Sequence, residues 1–193
     1  MKIEKKKEQK RAAILRSAWS VFMADGYIRA SMDKIAHEAS VTKQTVYRYF
    51  DSKESLYRAA LEARRDASGS SFLDELKHGD LYEGLRRFAV GFLKVHLSEE
   101  HVAGVRLMFS EGPKAPEMVR ARYAVGPAKT EATVLAHIKK HTRAEDPEYA
   151  VKMLLSTLLS MRVGVAVGLN ELPSDEAIET HAARTVGCLM NML

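Results

Sequence analysis

Residues 31–50 read SMDKIAHEASVTKQTVYRYF, and the rest of the chain is best understood outward from them. Ser31 is an N-cap candidate, its hydroxyl able to accept from the first free amides of a helix over Met32–Ala39. Ile35, Ala36 and Ala39 would be that helix's core positions. Ser40-Val41 breaks it, and a second short helix follows from about Thr42 to Phe50. Two short helices joined by a tight turn form a helix–turn–helix, whose second helix suits the major groove of duplex DNA. With Val46 facing the core, Thr42 and Phe50 flank it within about 40° on a helix of 3.6 residues per turn. Gln44, Thr45, Tyr47 and Arg48 then point outward. That face is rich in donors of the kind that base edges and phosphates accept. Gln44 can bond adenine bidentately, Lys43 can reach guanine, and the Thr45 methyl can meet a thymine methyl. Tyr47 and Tyr49 can donate to phosphates, and Lys53, opening the next helix, adds an ammonium beside free amides. The plain alternative is a solvated face with incidental tyrosines.

Helical patterning extends in both directions. Ile14, Ala18 and Phe22, with Leu15 and Trp19, form an i, i+4 stripe over Lys10–Ala24. Asp25-Gly26 ends it, the glycine supplying a left-handed cap. A fourth helix is predicted from the 51–54 region to about Ala67, with an interruption at 68–71. Further helical patterns cover roughly 72–77, 81–98, 101–110, 115–141, 147–169 and 174–192. Their breaks lie at Gly79-Asp80, Gly112-Pro113, Glu145-Asp146-Pro147 and Leu172-Pro173. Sustained period-2 alternation is not found, so the fold class is all-α.

The chain has 193 residues, 46% of them hydrophobic and 28% charged, an ordinary globular composition. Thirty Lys and Arg against 25 Asp and Glu give a net charge of +5. All of that excess lies in residues 1–60, which points to an anionic partner for this part, nucleic acid or an acidic surface. The competing reading is a Lys-rich tail, MKIEKKKEQKR, that only aids solubility. The tail has no apolar stretch behind its charges, so no signal peptide is expected. The most apolar run, Met153–Leu169, contains Arg162, is short for a bilayer, and reads as a buried helix with no membrane partner. A single cysteine, Cys188, excludes an intrachain disulfide and a four-Cys zinc site, and suits a reducing, cytoplasmic setting.

Residues 11–57, RAAILRSAWSVFMADGYIRASMDKIAHEASVTKQTVYRYFDSKESLY, resemble the DNA-binding domain of the TetR family of bacterial transcriptional regulators. The resemblance is carried by Ile14-Leu15, Phe22, Gly26-Tyr27, Ser31-Met32, Ile35-Ala36, Ala39, Val41, Tyr47, Phe50 and Ser52-Lys53-Glu54. The family's usual turn glycine is Ser40 here, which implies either a backbone angle that serine tolerates or slight strain. The resemblance implies about nine helices: a three-helix DNA-binding domain, residues 1–52, and a ligand-binding and dimerisation domain, residues 53–193. It implies that Lys43, Gln44 and Thr45 read bases. Ser31, Thr42, Tyr47, Tyr49 and Lys53 would hold the phosphate backbone. It also implies a homodimeric repressor released from a palindromic operator by a small molecule. Residues 81–142 resemble regulators of the AefR subgroup.

Read without the family, the last two long helices are strongly apolar. Met153, Leu154, Leu158, Met161, Val165 and Leu169 share helical spacing, as do Ile178, Ala182, Val186, Leu189 and Met190. Pairing with a second copy is one way to cover them, burial within one chain the other. Gly164 and Gly168 would allow close backbone approach. Candidate ligand contacts are Phe88, Phe92, His96, Arg106, Phe109, Tyr123, His137 and Arg162. Each aromatic among them also suits a plain core, and a buried Arg needs an anion from a ligand or a Glu. Enzyme signatures such as GxSxG, a P-loop or GxGxxG are missing from the sequence. His137 and His141 have no third ligand at metal spacing, so no metal or other cofactor is expected. The reading is therefore a non-enzymatic regulator. The alternative is a helical ligand- or partner-binding module with a vestigial reading head.

Overall fold

The computed structural model describes the backbone of residues 2–68 and 70–193, and the side chains of 4–66 and 72–193. The described residues are helical with no strand. The helices are α1 (Lys2–Asp25), α2 (Met32–Glu38), α3 (Lys43–Tyr49), α4 (Lys53–Ser68), α5 (Leu81–His96) and α6 (Glu99–Glu111). They continue with α7 (Pro116–Val125), α8 (Pro127–His141), α9 (Pro147–Leu158), α10 (Ser160–Ala166) and α11 (Asp175–Met190). A 3₁₀ segment, Ser70–Lys77, joins α4 to α5. The interruption expected at 68–71 includes Gly69, which lies outside the described residues.

Two predicted helices are each split. The pattern over 115–141 breaks at Gly126-Pro127, where proline opens α8 at its first turn, the position that needs no amide donor. The pattern over 147–169 breaks at Leu159: Arg162 N–H bonds the Leu159 carbonyl at i−3, at 3.0 Å. Counting each broken pair once, the described α-helices number nine.

The chain divides into two compact units, residues 1–67 with 107–125, and residues 68–106 with 126–193. The first unit is built on Ile14, Ala18, Phe22, Ile35, Val46, Leu56 and Tyr57, all fully buried or nearly so. Tyr57 meets Phe22 and Tyr27 edge-on, with ring centroids 5.1 Å apart in both pairs. Burial pushes the Tyr27 phenol far above its ordinary value, helped by Glu117 and Glu54. Met118, Ala121 and Val125 of α7 complete this core.

The second unit is held by Leu85, Phe88, Leu93, Val134, Ile138, Leu154, Leu158, Ala182 and Val186. Phe72 of the 3₁₀ segment packs on Phe88 and Phe92. The apolar stripe read from α9–α11 is largely this core. Leu154, Leu158, Val165, Ile178, Ala182, Val186 and Leu189 are buried within one chain. The Met153–Leu169 run is buried on one side only, with Met153, Val163, Val167 and Leu169 exposed. Taken together, α9 and α10 (Pro147–Ala166) are the one helical stretch among the described residues long and apolar enough to cross a membrane. The Gly164/Gly168 pair does not mark a helix crossing. Gly168 has φ +78 and closes α10: Leu169 N–H reaches the Gly164 carbonyl at 2.9 Å and Gly168 N–H the Val165 carbonyl at 3.2 Å. This is a Schellman closure, which needs a left-handed residue at that place.

Candidate nucleic-acid interface

The α2–turn–α3 unit is fixed at each end by side-chain caps. Ser31 Oγ accepts from Lys34 N–H at 3.2 Å and opens α2. Thr42 Oγ1 accepts from Thr45 N–H at 3.2 Å and opens α3. Between them α2 closes with Val41 N–H on the Ala36 carbonyl and Ser40 N–H on the His37 carbonyl, both at 3.0 Å. The same closure at α10 uses glycine; here the left-handed residue is Ser40, at φ 53.

Val46 is fully buried and Phe50 nearly so, which turns α3 so that Lys43, Gln44, Tyr47 and Arg48 are exposed. Thr45 is half-buried and its hydroxyl pairs with that of Thr42 at 2.9 Å. Lys43 Nζ meets Asp33 Oδ2 at 2.8 Å, an ion pair open to water on both sides. That carboxylate raises the Lys43 ammonium above its ordinary value. Solvent screening leaves such a pair weak, so an incoming phosphate or base edge can displace it. Arg48 lies over the Tyr49 ring at 5.9 Å.

Two predicted phosphate contacts are engaged elsewhere. The Lys53 ammonium donates to the carbonyls of Tyr27 at 2.8 Å, Ile28 at 3.1 Å and Ala30 at 3.2 Å. It also lies 4.6 Å from the Tyr27 ring centroid. Three protons on three carbonyls make it a brace for the α1–α2 turn rather than an open cation. The Tyr49 hydroxyl donates to the Lys7 carbonyl of α1 at 3.2 Å. Both partners are more than twenty residues away in sequence, so local patterning carried no sign of either.

Sequence reasoning also missed Glu111, at the end of α6. Its carboxylate accepts from Ile28 N–H at 2.8 Å and sits where a side chain on Gly26 would project. Gly26 has φ +87, so the turn needs glycine on two counts.

The predicted ligand residues are dispersed. Phe88 and Phe92 are core. His96 stacks on Phe92 at 3.9 Å and its Nδ1 lies 2.8 Å from the Phe92 carbonyl. Arg106 donates to the Ala166 carbonyl at 2.8 Å and the Val165 carbonyl at 3.2 Å, capping the end of α10. Arg106 is exposed and its donors meet neutral carbonyls, so the buried arginine needing an anion is not found at this position. Phe109 and Tyr123 are exposed and belong to the first unit. His137 is half-buried with its ring 4.3 Å from that of His141, and burial holds its imidazole below the ordinary value. Arg162 is half-buried. The second unit carries two open depressions, of about 390 Å³ beside Phe72, Arg86, Gly91 and Glu179, and about 470 Å³ beside Met161, Thr180, His181 and Arg184. Neither is lined by a predicted ligand residue. No group of three or more metal-ligating side chains occurs among the described residues.

Comparison with known proteins agrees with this geometry. The family model for bacterial regulatory proteins of the tetR family matches residues 14–60. The model for the C-terminal domain of AefR-like transcriptional repressors matches residues 83–192. Among curated relatives, the DNA-binding transcriptional repressor TetR of Mycobacteroides abscessus is 44% identical over 69 residues, 36% of this chain and 34% of that one. The HTH-type transcriptional activator FasR of Mycolicibacterium smegmatis is 32% identical over 120 residues, 62% of this chain and 54% of that one. The chain therefore spans between a third and about half of these two relatives. The solved structure of the flavonoid-responsive regulator FrrA superposes with a TM-score of 0.76 at 27% identity, covering 95% of this chain and 96% of that one. A structure assigned to the same family from Mesorhizobium loti gives 0.80 at 24% identity and 96% coverage of both, a likeness of fold.

Proposed function

Because the chain belongs to the TetR family of bacterial regulatory proteins, which are DNA-binding transcriptional regulators, we propose that it works as a homodimer presenting α3 twice to a palindromic operator. One observation carries the reading. Val46 and Phe50 anchor α3 in the core and leave Lys43, Gln44, Tyr47 and Arg48 exposed, a donor face turned to water. In this reading Lys43, Gln44 and Thr45 meet base edges, while Tyr47, Arg48, Ser31 and Thr42 meet the backbone. The DNA-binding segment is residues 1–52, and 53–193 bind ligand and partner.

The rest follows the family and the relatives. The dimer forms through α9–α11. A small molecule bound in the second unit releases the operator, a reading favoured by the relative described as flavonoid-responsive. Repression is the expected sign, although one relative is a repressor and another an activator. That sign depends on where the operator lies relative to the promoter. The setting is the cytoplasm, and no catalytic role is assigned.

The test is a gel shift of the full chain on the DNA flanking its own coding region. Gln44→Ala should relax preference at one position in each half-site and cost about 1–3 kcal/mol on the selected sequence. If Gln44→Ala and Arg48→Ala both leave operator affinity unchanged, α3 is not the reading element.

A further inference from the structure

The first turns of α1 are exposed on every side. From Glu4 to Arg11 no described side chain is buried or even half-buried, and the helix is continuous from Lys2. Lys5, Lys6, Lys7, Lys10 and Arg11 face only Glu4 and Glu8 in that stretch. A helix polar all round gains nothing from burial, so its own side-chain pairs must support it. Here they conflict. The i, i+3 pairs Glu4–Lys7, Lys5–Glu8 and Glu8–Arg11 are of opposite sign, but Lys7–Lys10 and the i, i+4 pairs Glu4–Glu8, Lys6–Lys10 and Lys7–Arg11 are of like sign and destabilising. A polyanion alongside would relieve the three cationic pairs.

The arm is also tied to α3. The Tyr49 hydroxyl donates to the Lys7 carbonyl at 3.2 Å. The Arg11 guanidinium stands 5.6 Å from the ring centroid of Phe50, the residue that caps α3. Residues 4–11 hold no apolar face to insert among lipids, so the arm suits phosphates on a duplex better than a membrane surface.

We infer that Lys5, Lys6, Lys7 and Lys10 form a second DNA-contacting element, which runs along the phosphate backbone beside the groove entered by α3. Tyr49 is the positioning residue that sets its approach. The inference rests on the reading that α3 faces duplex DNA. The arm contributes affinity and salt dependence without sequence preference, since phosphates carry no base information.

Fluorescence anisotropy tests this on two 40-bp duplexes, one selected by the full-length wild type from a random pool and one a scrambled sequence, at about 50–300 mM salt. A variant with Lys5, Lys6, Lys7 and Lys10 all changed to Gln should lose about 0.9 units of log–log salt slope for each phosphate contact removed. Its affinity should fall by the same factor on both duplexes, which leaves the ratio between them unchanged. Tyr49→Phe keeps the ring but not the bond to Lys7, and should lose part of the slope, again with the ratio unchanged. Changing the same four lysines to Arg should restore the slope. The inference is overturned if wild type binds the selected duplex and the Gln variant keeps its slope. It is equally overturned if the lysine changes abolish binding to phosphatidylserine vesicles while leaving the DNA slope intact. If wild type binds neither duplex, the reading of α3 falls first and the inference with it.

Discussion

At the scale of single residues, two positions separate local from distant causes. Ser40 stands at φ 53, in the closure of α2, where a Cβ is costly and glycine is not. The family resemblance signalled this, because the residue usual at that turn is glycine and serine stands there in this chain. Ser40→Gly should raise the thermal midpoint, the strain relieved being worth about 0.5–1 kcal/mol after the added freedom of the unfolded chain is counted. A midpoint that falls would mean that the Ser40 side chain has a role that this backbone angle does not reveal. Lys53 is the opposite case. Its position at a helix start suggested a phosphate contact, yet its ammonium braces the Tyr27, Ile28 and Ala30 carbonyls. Lys53→Met should keep the stem's packing and lose the brace, lowering stability by about 1–3 kcal/mol. Thermal melts with and without duplex DNA distinguish the two roles. A brace lowers the midpoint of the free protein, whereas a phosphate contact lowers only the gain on adding DNA.

At the scale of elements, periodicity located α2, α3, α5 and α11 to within two residues at each end, because each carries an apolar stripe and a Ser, Thr or Asp cap. It placed the start of α1 eight residues late, since residues 2–9 have no apolar stripe to detect. The Gly126-Pro127 break was legible as a dipeptide but lay inside a continuous stripe. The Leu159 break has neither Gly nor Pro and was not legible. The outward face of α3 could be read because one buried valine sets its orientation. Spacing alone could not separate Phe88 and Phe92 as core from a cavity lining, because aromatic spacing is the same for both. In α5 the capping turn supports a pH prediction. Asp80 accepts from Glu83 N–H at 2.9 Å, and the Glu83 carboxylate accepts from Arg86 at 2.9 and 3.0 Å and from Arg87 at 2.8 Å. These bonds, Arg86 first, hold Glu83 down at about 2, against an ordinary 4.5. The folded chain thus resists protonation that the unfolded chain accepts. The contribution is fully present above about pH 4.5 and is lost as pH falls toward 2. Carboxyl NMR should show Glu83 titrating near 2 in the folded protein, and Glu83→Gln should flatten the decline of the melting midpoint through that window. A carboxyl inflection near 4.5 would show that the two arginines do not hold it in solution.

At the scale of the whole molecule, one chain cannot use its reading head to full effect alone. Two heads about 34 Å apart meet successive major grooves on one side of a duplex, and linking them multiplies affinity by about 10²–10⁴. Most of the stripe that the sequence marked is the core of the second unit, Met153 and Leu169 excepted. We therefore place the pairing on the exposed side of α9 and α10, where Tyr149, Met153, Val163 and Val167 remain in water, Val167 at 64% exposure. A self-complementary patch around a twofold axis would cover all four at once. Val163→Glu together with Val167→Glu should place four added charges across that axis. Both sites are exposed in the single chain, so the helical circular dichroism should be unchanged. Sedimentation should then report one chain where the wild type reports two, and affinity for a palindromic duplex should drop by about 10²–10⁴ while affinity for an isolated half-site stays the same. Inserting 5 bp between half-sites should mimic the loss in the wild type, since half a turn moves the second site to the far side of the duplex. A variant that still sediments as two chains would move the pairing surface elsewhere, and a wild type that is a single chain at micromolar concentration would remove it altogether.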